Sequence, residues 1–226
     1  MIQDNIDAIR KRVAEAAERS GRKFEDIMII AVTKTVDTDR IQQAVSCGMK
    51  ELGENRVQEL CDKYDIIDHS CSWHLIGHLQ TNKVKYIADK VKLIHSLDRL
   101  ELAEEIQKRA EKLNRIIDVL LQVNIAEEES KFGMHKDKVM DFVQTIAKYP
   151  NIRVKGLMTI APLAENPEDV RWVFREAKKL LIDIKAENID NIAMDYLSMG
   201  MSGDFETAIE EGSNIVRIGT AIFGKR

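Results

Sequence analysis

A closed (β/α)8 barrel is the fold this sequence predicts, on three observations. Apolar, β-branched runs of strand length alternate strictly with amphipathic helical segments. Eight such runs fit within 226 residues, and no linker-like or low-complexity tract separates them. Each run ends in polar or glycine-bearing residues, as expected at the carboxyl-end face where such barrels build their sites. The expectation is one α/β domain, residues 1–226, with a helix ahead of the first strand.

That helix spans residues 2–19, because Ile2, Ile6, Ile9, Val13 and Ala16 recur at spacings of four and three, and Gly21 closes it. Ile27 to Val32 is six consecutive apolar residues, the signature of a parallel strand buried on both faces. A helix over 38–47, a short strand at 51–53, a helix over 56–67 and a strand at 73–76 follow. A brief helix at 82–89 leads to a strand at 91–95. Asp98 and Glu101 resemble a capping pair, and Leu97, Leu100, Ala103, Ile106, Ala110 and Leu113 form the stripe of the next helix. Ile116 to Val123 is strand, 136–148 helix, 152–158 strand and 167–185 helix. A strand at 193–197, a short helix at 204–211 and a strand at 214–218 complete the eight.

Composition excludes several classes. A formal charge of −4 with interspersed signs is unlike a nucleic-acid surface. The N-terminus lacks the apolar core of a signal peptide, and no run approaches membrane-spanning length. Cys47, Cys61 and Cys71 form no CxxC pair, which fits a reducing, cytoplasmic compartment. Neither a GxxxxGK[ST] nor a GxGxxG pattern is present, against a nucleotide site.

The strand ends carry the chemistry: Thr33-Lys34, Gly53-Glu54-Asn55, Gly77-His78, His95-Ser96, Asn124, Thr159, Ser198 to Ser202, and Arg217 to Thr220. Lys34 ends the most apolar run. An ammonium there is expected to lose hydration and so become a nucleophilic amine of the Schiff-base type. Ser202 with its flanking glycines, and Gly219-Thr220, follow strands seven and eight, where such barrels commonly hold a phosphate. A helix starting near Asp204 is expected to aim its dipole at the same place. A barrel lysine and a phosphate site together suggest pyridoxal 5'-phosphate (PLP).

The sequence resembles the pyridoxal phosphate homeostasis protein family, a relative of the alanine racemase N-terminal barrel. The matching segments are Ala31-Val32-Thr33-Lys34, Leu52-Gly53-Glu54-Asn55 and Trp73 to Gln80, with Gly156-Leu157-Met158, Leu197 to Ser202 and Val216 to Gly224. Members often carry Ser where this chain has Thr33, a change that keeps the hydroxyl. The resemblance implies that Lys34 carries the cofactor, that Ser202, Gly219 and Thr220 cradle its phosphate, and that Arg217 faces the pyridine nitrogen. It places Asn55 near the ring. A cation at that nitrogen disfavours ring protonation and weakens the cofactor as an electron sink.

Two functions compete. One is a cytoplasmic PLP carrier without turnover of its own, a monomer serving PLP-dependent apo-enzymes. The other is an amino-acid racemase. The resemblance favours the carrier, since racemases add a C-terminal β domain with a catalytic tyrosine and this sequence ends at Arg226. Racemisation needs an acid/base on each face of the substrate, and Lys34 serves only one. A phosphosugar aldolase ranks third, because its lysine usually lies on a later strand. His74 and His78 are not expected to bind a metal, and Lys131 is expected to be an ordinary solvated lysine in an acidic loop. Met199 and Met201 are candidates for the pocket lining.

Overall fold

The computed structural model describes residues 1–224. Eight strands close a parallel barrel in the order β1 to β8. They are β1 (Met28–Val32), β2 (Glu51–Glu54), β3 (Ser72–Leu75), β4 (Val91–Leu97), β5 (Ile117–Gln122), β6 (Ile152–Met158), β7 (Ile192–Ser198) and β8 (Ile215–Ile218). β1 closes the ring by pairing with β2 at Ala31–Leu52 and with β8 from Met28–Ile215 to Ala31–Ile218.

Strand periodicity splits the core in two. Ala31, Leu52, Leu75, Ile94, Leu121, Leu157, Leu197 and Val216 pack against the surrounding helices. Ile30, Leu93, Leu120, Met158 and Ile215 form a smaller cluster of their own. These residues alternate along their strands with the outer set, so they fill the barrel interior. The helices are α1 (Ile2–Arg19), α2 (Thr38–Ser46), α3 (Val57–Tyr64), α4 (Leu100–Lys112), α5 (Val139–Ile146), α6 (Arg171–Ala186), α7 (Phe205–Glu210) and α8 (Thr220–Phe223). The extra helix α1 buries Ile6, Ile9, Val13, Ala16 and Ala17 and packs on α2, α7 and α8. Arg12 pairs with Glu206 at 2.7 Å, and Asn5 donates to the Ile222 carbonyl at 2.9 Å. Gly21 terminates α1 as expected, at φ 70°.

Several sequence expectations need correction. β4 runs on to Leu97, paired with Leu121 of β5, so His95 and Ser96 lie inside the strand instead of after it. Gly53 and Glu54 are likewise within β2. Asp98 does not cap α4: its carboxylate is taken by Arg99 at 2.6 Å, and Arg99 holds the capping position without a side-chain bond. The stripe of α4 keeps Ala103, Ile106 and Ala110, whereas Leu100 and Leu113 are exposed. α3 stops at Tyr64, and the brief helix after β3 is a 3-10 segment, Thr81–Tyr86. No described helix is long and apolar enough to cross a membrane.

Candidate functional site

The carboxyl-end face holds a cavity of about 340 Å³, and Lys34, Asn55, Ser202, Arg217, Gly219 and Thr220 all line it. Parallel strands end on one face, so residues nearly 190 positions apart in sequence meet there. Val32, Ile76, Ile160 and Leu163 supply apolar wall. No histidine, carboxylate, tyrosine or cysteine is among the described residues that line it.

Lys34 sits in the turn just past β1 and is exposed. Its side chain lines the cavity yet keeps its solvent contact, contrary to the dehydration expected at the mouth of a buried strand. Position is supplied by its neighbours instead. Thr35 is held at φ 58°, unusual for a β-branched residue. Its backbone N–H donates to Glu59 Oε2 at 2.7 Å. On the other side, Thr33 Oγ1 donates to Glu54 Oε1 at 2.7 Å. Lys63 of α3 ties the two together, donating to the Thr33 carbonyl at 2.8 Å, to Glu54 Oε1 at 2.7 Å and to Glu59 Oε2 at 3.3 Å. Both residues flanking Lys34 thus rest on one buried ammonium and two carboxylates. Burial pushes the Glu54 carboxyl up, against the hydrogen bonds from Lys63 and Thr33.

On the side of β1 away from β2, the β8 end, with that of β7 beyond it, closes the cavity. Gly200, at φ 91°, would bring a Cβ within 2.9 Å of Phe205 Cα, so only glycine lets this loop fold onto α7. Its carbonyl accepts the Arg217 N–H at 3.0 Å, which locks the loop to β8. Ser202 Oγ accepts the Ala221 N–H of α8 at a loose 3.3 Å. α8 opens on the cavity at Thr220, and Gly203, just ahead of the α7 cap residue Asp204, lines it as well. Asp204 instead lines an adjoining cavity, and its carboxylate takes the Met201 N–H at 2.6 Å. Met201 lines the cavity, whereas Met199 is buried in the core.

Asn55 is set by close backbone contact. A Cβ on Gly77 would lie 2.4 Å from the Asn55 carbonyl oxygen, so glycine is required where β2 and β3 end side by side. Arg217 is almost fully buried and donates from Nη1 to Ser198 Oγ at 2.6 Å and from Nη2 to the Thr159 carbonyl at 3.0 Å. Burial pushes its guanidinium down to about 10, which leaves it a cation near neutrality.

Residues set aside from the sequence are also placed. His74 is buried and spends its ring nitrogens on His95 at 3.0 Å and Glu51 at 2.7 Å. His78 stacks on Phe132 with centroids 3.8 Å apart, in an adjoining cavity. Lys131 is not freely solvated: it is half-buried, pairs with Glu128 and donates to the Ala161 carbonyl at 3.0 Å. Lys63 escaped sequence reasoning, and His95 and Ser198 stood there as strand-end residues without a supporting role. The inward register of His95 and Ser198 on their strands was the one signal available.

A barrel whose carboxyl-end mouth joins a strand-end lysine, a buried arginine and a serine–threonine–glycine corner defines the racemase-type barrel class. The family model for the alanine racemase N-terminal domain matches residues 5–226. The pyridoxal phosphate homeostasis protein of Aquifex aeolicus is 48% identical over 224 residues, 99% of this chain and 97% of the relative. That of Escherichia coli K12 is 36% identical over 229 residues, 100% of this chain and 97% of the relative. The structure of PipY from Synechococcus elongatus with PLP bound superposes with a TM-score of 0.87 at 28% identity, over 99% of this chain and 100% of that one. The chain belongs to the pyridoxal phosphate homeostasis protein family.

Proposed function

We propose that this protein binds PLP in the 340 Å³ cavity and serves its intracellular homeostasis, holding the cofactor as a Schiff base on Lys34 without significant turnover. The observation that carries this reading is the convergence of Lys34, Asn55, Ser202, Arg217, Gly219 and Thr220 on that one cavity. The donor set fits the cofactor. An exposed primary amine can condense with an aldehyde, losing water. The Ser202 hydroxyl and the start of α8 offer donors for a phosphate, and the Arg217 cation suits a ring nitrogen that is to stay unprotonated. PLP would supply electron-withdrawing capacity when bound. The residues around it bind and orient it and offer little more: among the described lining residues, no histidine, carboxylate, tyrosine or cysteine joins Lys34 as a second acid/base. That supports a carrier over a racemase. A monomer in the cytoplasm that supplies PLP-dependent apo-enzymes completes the reading.

The visible spectrum of protein incubated with PLP, followed by borohydride reduction and peptide mapping, tests the assignment. A pyridoxyl group on Lys34 is expected; a label confined to Lys131 or Lys83 sinks it. Proton exchange at the α-carbon of amino acids in deuterated water tests the absence of turnover. Exchange at about 1 s⁻¹ or faster that disappears in Lys34→Ala would move the protein to the racemases. For the phosphate corner, Ser202→Ala is expected to weaken PLP by about 1.5–3 kcal/mol and to spare pyridoxal, which lacks the phosphate. Equal weakening of both ligands removes Ser202 from the phosphate site.

A further inference from the structure

A hydrogen-bond chain climbs the inside of the barrel from its amino-end face to the cavity. It begins at Glu51, the first residue of β2, whose Oε1 accepts from Lys92 Nζ at 2.6 Å. Glu51 Oε2 pairs with His74 Nε2 at 2.7 Å, and His74 Nδ1 meets His95 Nε2 at 3.0 Å. His95 Nδ1 meets Ser198 Oγ at 3.0 Å, and Ser198 Oγ accepts from Arg217 Nη1 at 2.6 Å. Neither ring has any exposed surface.

Burial pushes both imidazoles below their ordinary range; for His95 the neighbouring His74 and Arg217 push the same way. Two neutral rings each offer one N–H and one lone pair. The ends then dictate the middle. Glu51 presents only lone pairs and Arg217 only N–H groups. His74 must donate from Nε2 to the carboxylate, which leaves Nδ1 as an acceptor. His95 must therefore donate from Nε2 and accept at Nδ1. The Ser198 hydroxyl proton goes to that Nδ1, and its lone pairs turn to the guanidinium. All four links share one direction, and none conflicts.

We propose that Glu51 is a positioning residue for Arg217, acting through the tautomers of His74 and His95 to turn the Ser198 lone pairs toward the guanidinium. A hydroxyl that donates becomes a better acceptor, so the aligned chain tightens the Ser198–Arg217 bond. Without the carboxylate, His95 is free to donate from Nδ1 to Ser198. Arg217 then competes for that oxygen, with only the Thr159 carbonyl to fix its other arm. The chain is complete without any ligand. Its consequence for the cofactor ring rests on the function proposed above.

The test uses nitrogen-15-labelled, cofactor-free protein and long-range proton–nitrogen spectra that report each imidazole tautomer. In the wild type both His74 and His95 are expected to carry the proton on Nε2. In Glu51→Leu, His95 is expected to populate both tautomers, and the Arg217 guanidinium signals to show faster rotation. Lys92→Leu removes the other partner of the same carboxylate and is expected to leave His95 unchanged. A wild-type His95 protonated on Nδ1 overturns the proposal even if Glu51→Leu fails to fold. So does a His95 tautomer indifferent to Glu51→Leu, or one equally disturbed by Lys92→Leu. A separate titration with PLP keeps the two readings apart. If wild type gives no visible band while the tautomers behave as expected, the cofactor reading fails and the positioning chain stands.

Discussion

Lys63, packed between the β1–β2 wall and α3, and the Glu51–Arg217 chain inside the barrel both support the same cavity, and they treat charge in opposite ways. Around Lys63, one ammonium touches two carboxylates directly, at 2.7 and 3.3 Å. Those groups grip backbone: the Thr33 carbonyl and the Thr35 N–H on either side of Lys34. Inside the barrel, the carboxylate and the guanidinium never touch. Two neutral rings and a hydroxyl stand between them, and what they hold is a side-chain head. Direct compensation suits a site where a strained turn must be pinned. A neutral chain suits an interior whose carboxylate and guanidinium lie at opposite ends, where direction alone has to be conveyed.

The largest expected effect breaks the first region. Lys63→Met leaves the Glu54 carboxylate buried without its cation, which should cost about 3–5 kcal/mol of stability, measured by urea unfolding. Adding Glu54→Leu should restore much of it; a double variant no more stable than the single one would show that the cluster is not charge-compensated as described. A smaller effect concerns the strain the cluster maintains. Thr35→Gly removes the cost of a left-handed β-branched residue and should stabilise the fold by about 1 kcal/mol or less, while slowing borohydride-trappable attachment of PLP to Lys34. Unchanged trapping would mean that the pinned turn does not present the lysine.

The finest distinction lies in pH dependence. Burial raises the Glu54 carboxyl, so the native state holds that proton more tightly than the unfolded chain does. Its contribution to stability is greatest at low pH and falls as pH rises through the raised value. For Glu51, burial pushes upward too, but hydrogen bonds from His74 and Lys92 prevail and hold the carboxyl below the ordinary range. Its contribution is present above the unfolded value and is lost as pH falls through the native one. Urea midpoints from about pH 3 to 7, for wild type against Glu54→Gln and against Glu51→Leu, should give difference curves of opposite slope. Slopes of one sign would erase the contrast between the two regions.

Much of this molecule was legible in its residues. The period of Ile2, Ile6, Ile9 and Val13 and the run from Ile27 to Val32 report local geometry, which depends on neighbours in sequence. The eightfold alternation then left few topologies, and a barrel puts every strand end on one face. That is why Lys34, Asn55, Ser202, Arg217, Gly219 and Thr220 stood together among the strand ends; the family resemblance singled them out from the rest, and they line one cavity. Where the reasoning failed, the deciding partner came from elsewhere in the chain. β4 continues past His95 because Leu121 pairs with Leu97, and the carboxylate of Asp98 goes to Arg99 instead of a helix cap. Lys34 stands exposed in a turn whose flanking residues are held from α3, Thr35 by Glu59 and Thr33 by Lys63. Sequence determined the strands and the barrel, since periodicity and chain order are local properties, and its resemblance to a known family supplied the roll of cavity residues. Only the tertiary structure decided how those residues are held, because Lys63 and His95 acquire their partners across 30 and 103 positions, where side-chain geometry alone settles which donor meets which acceptor.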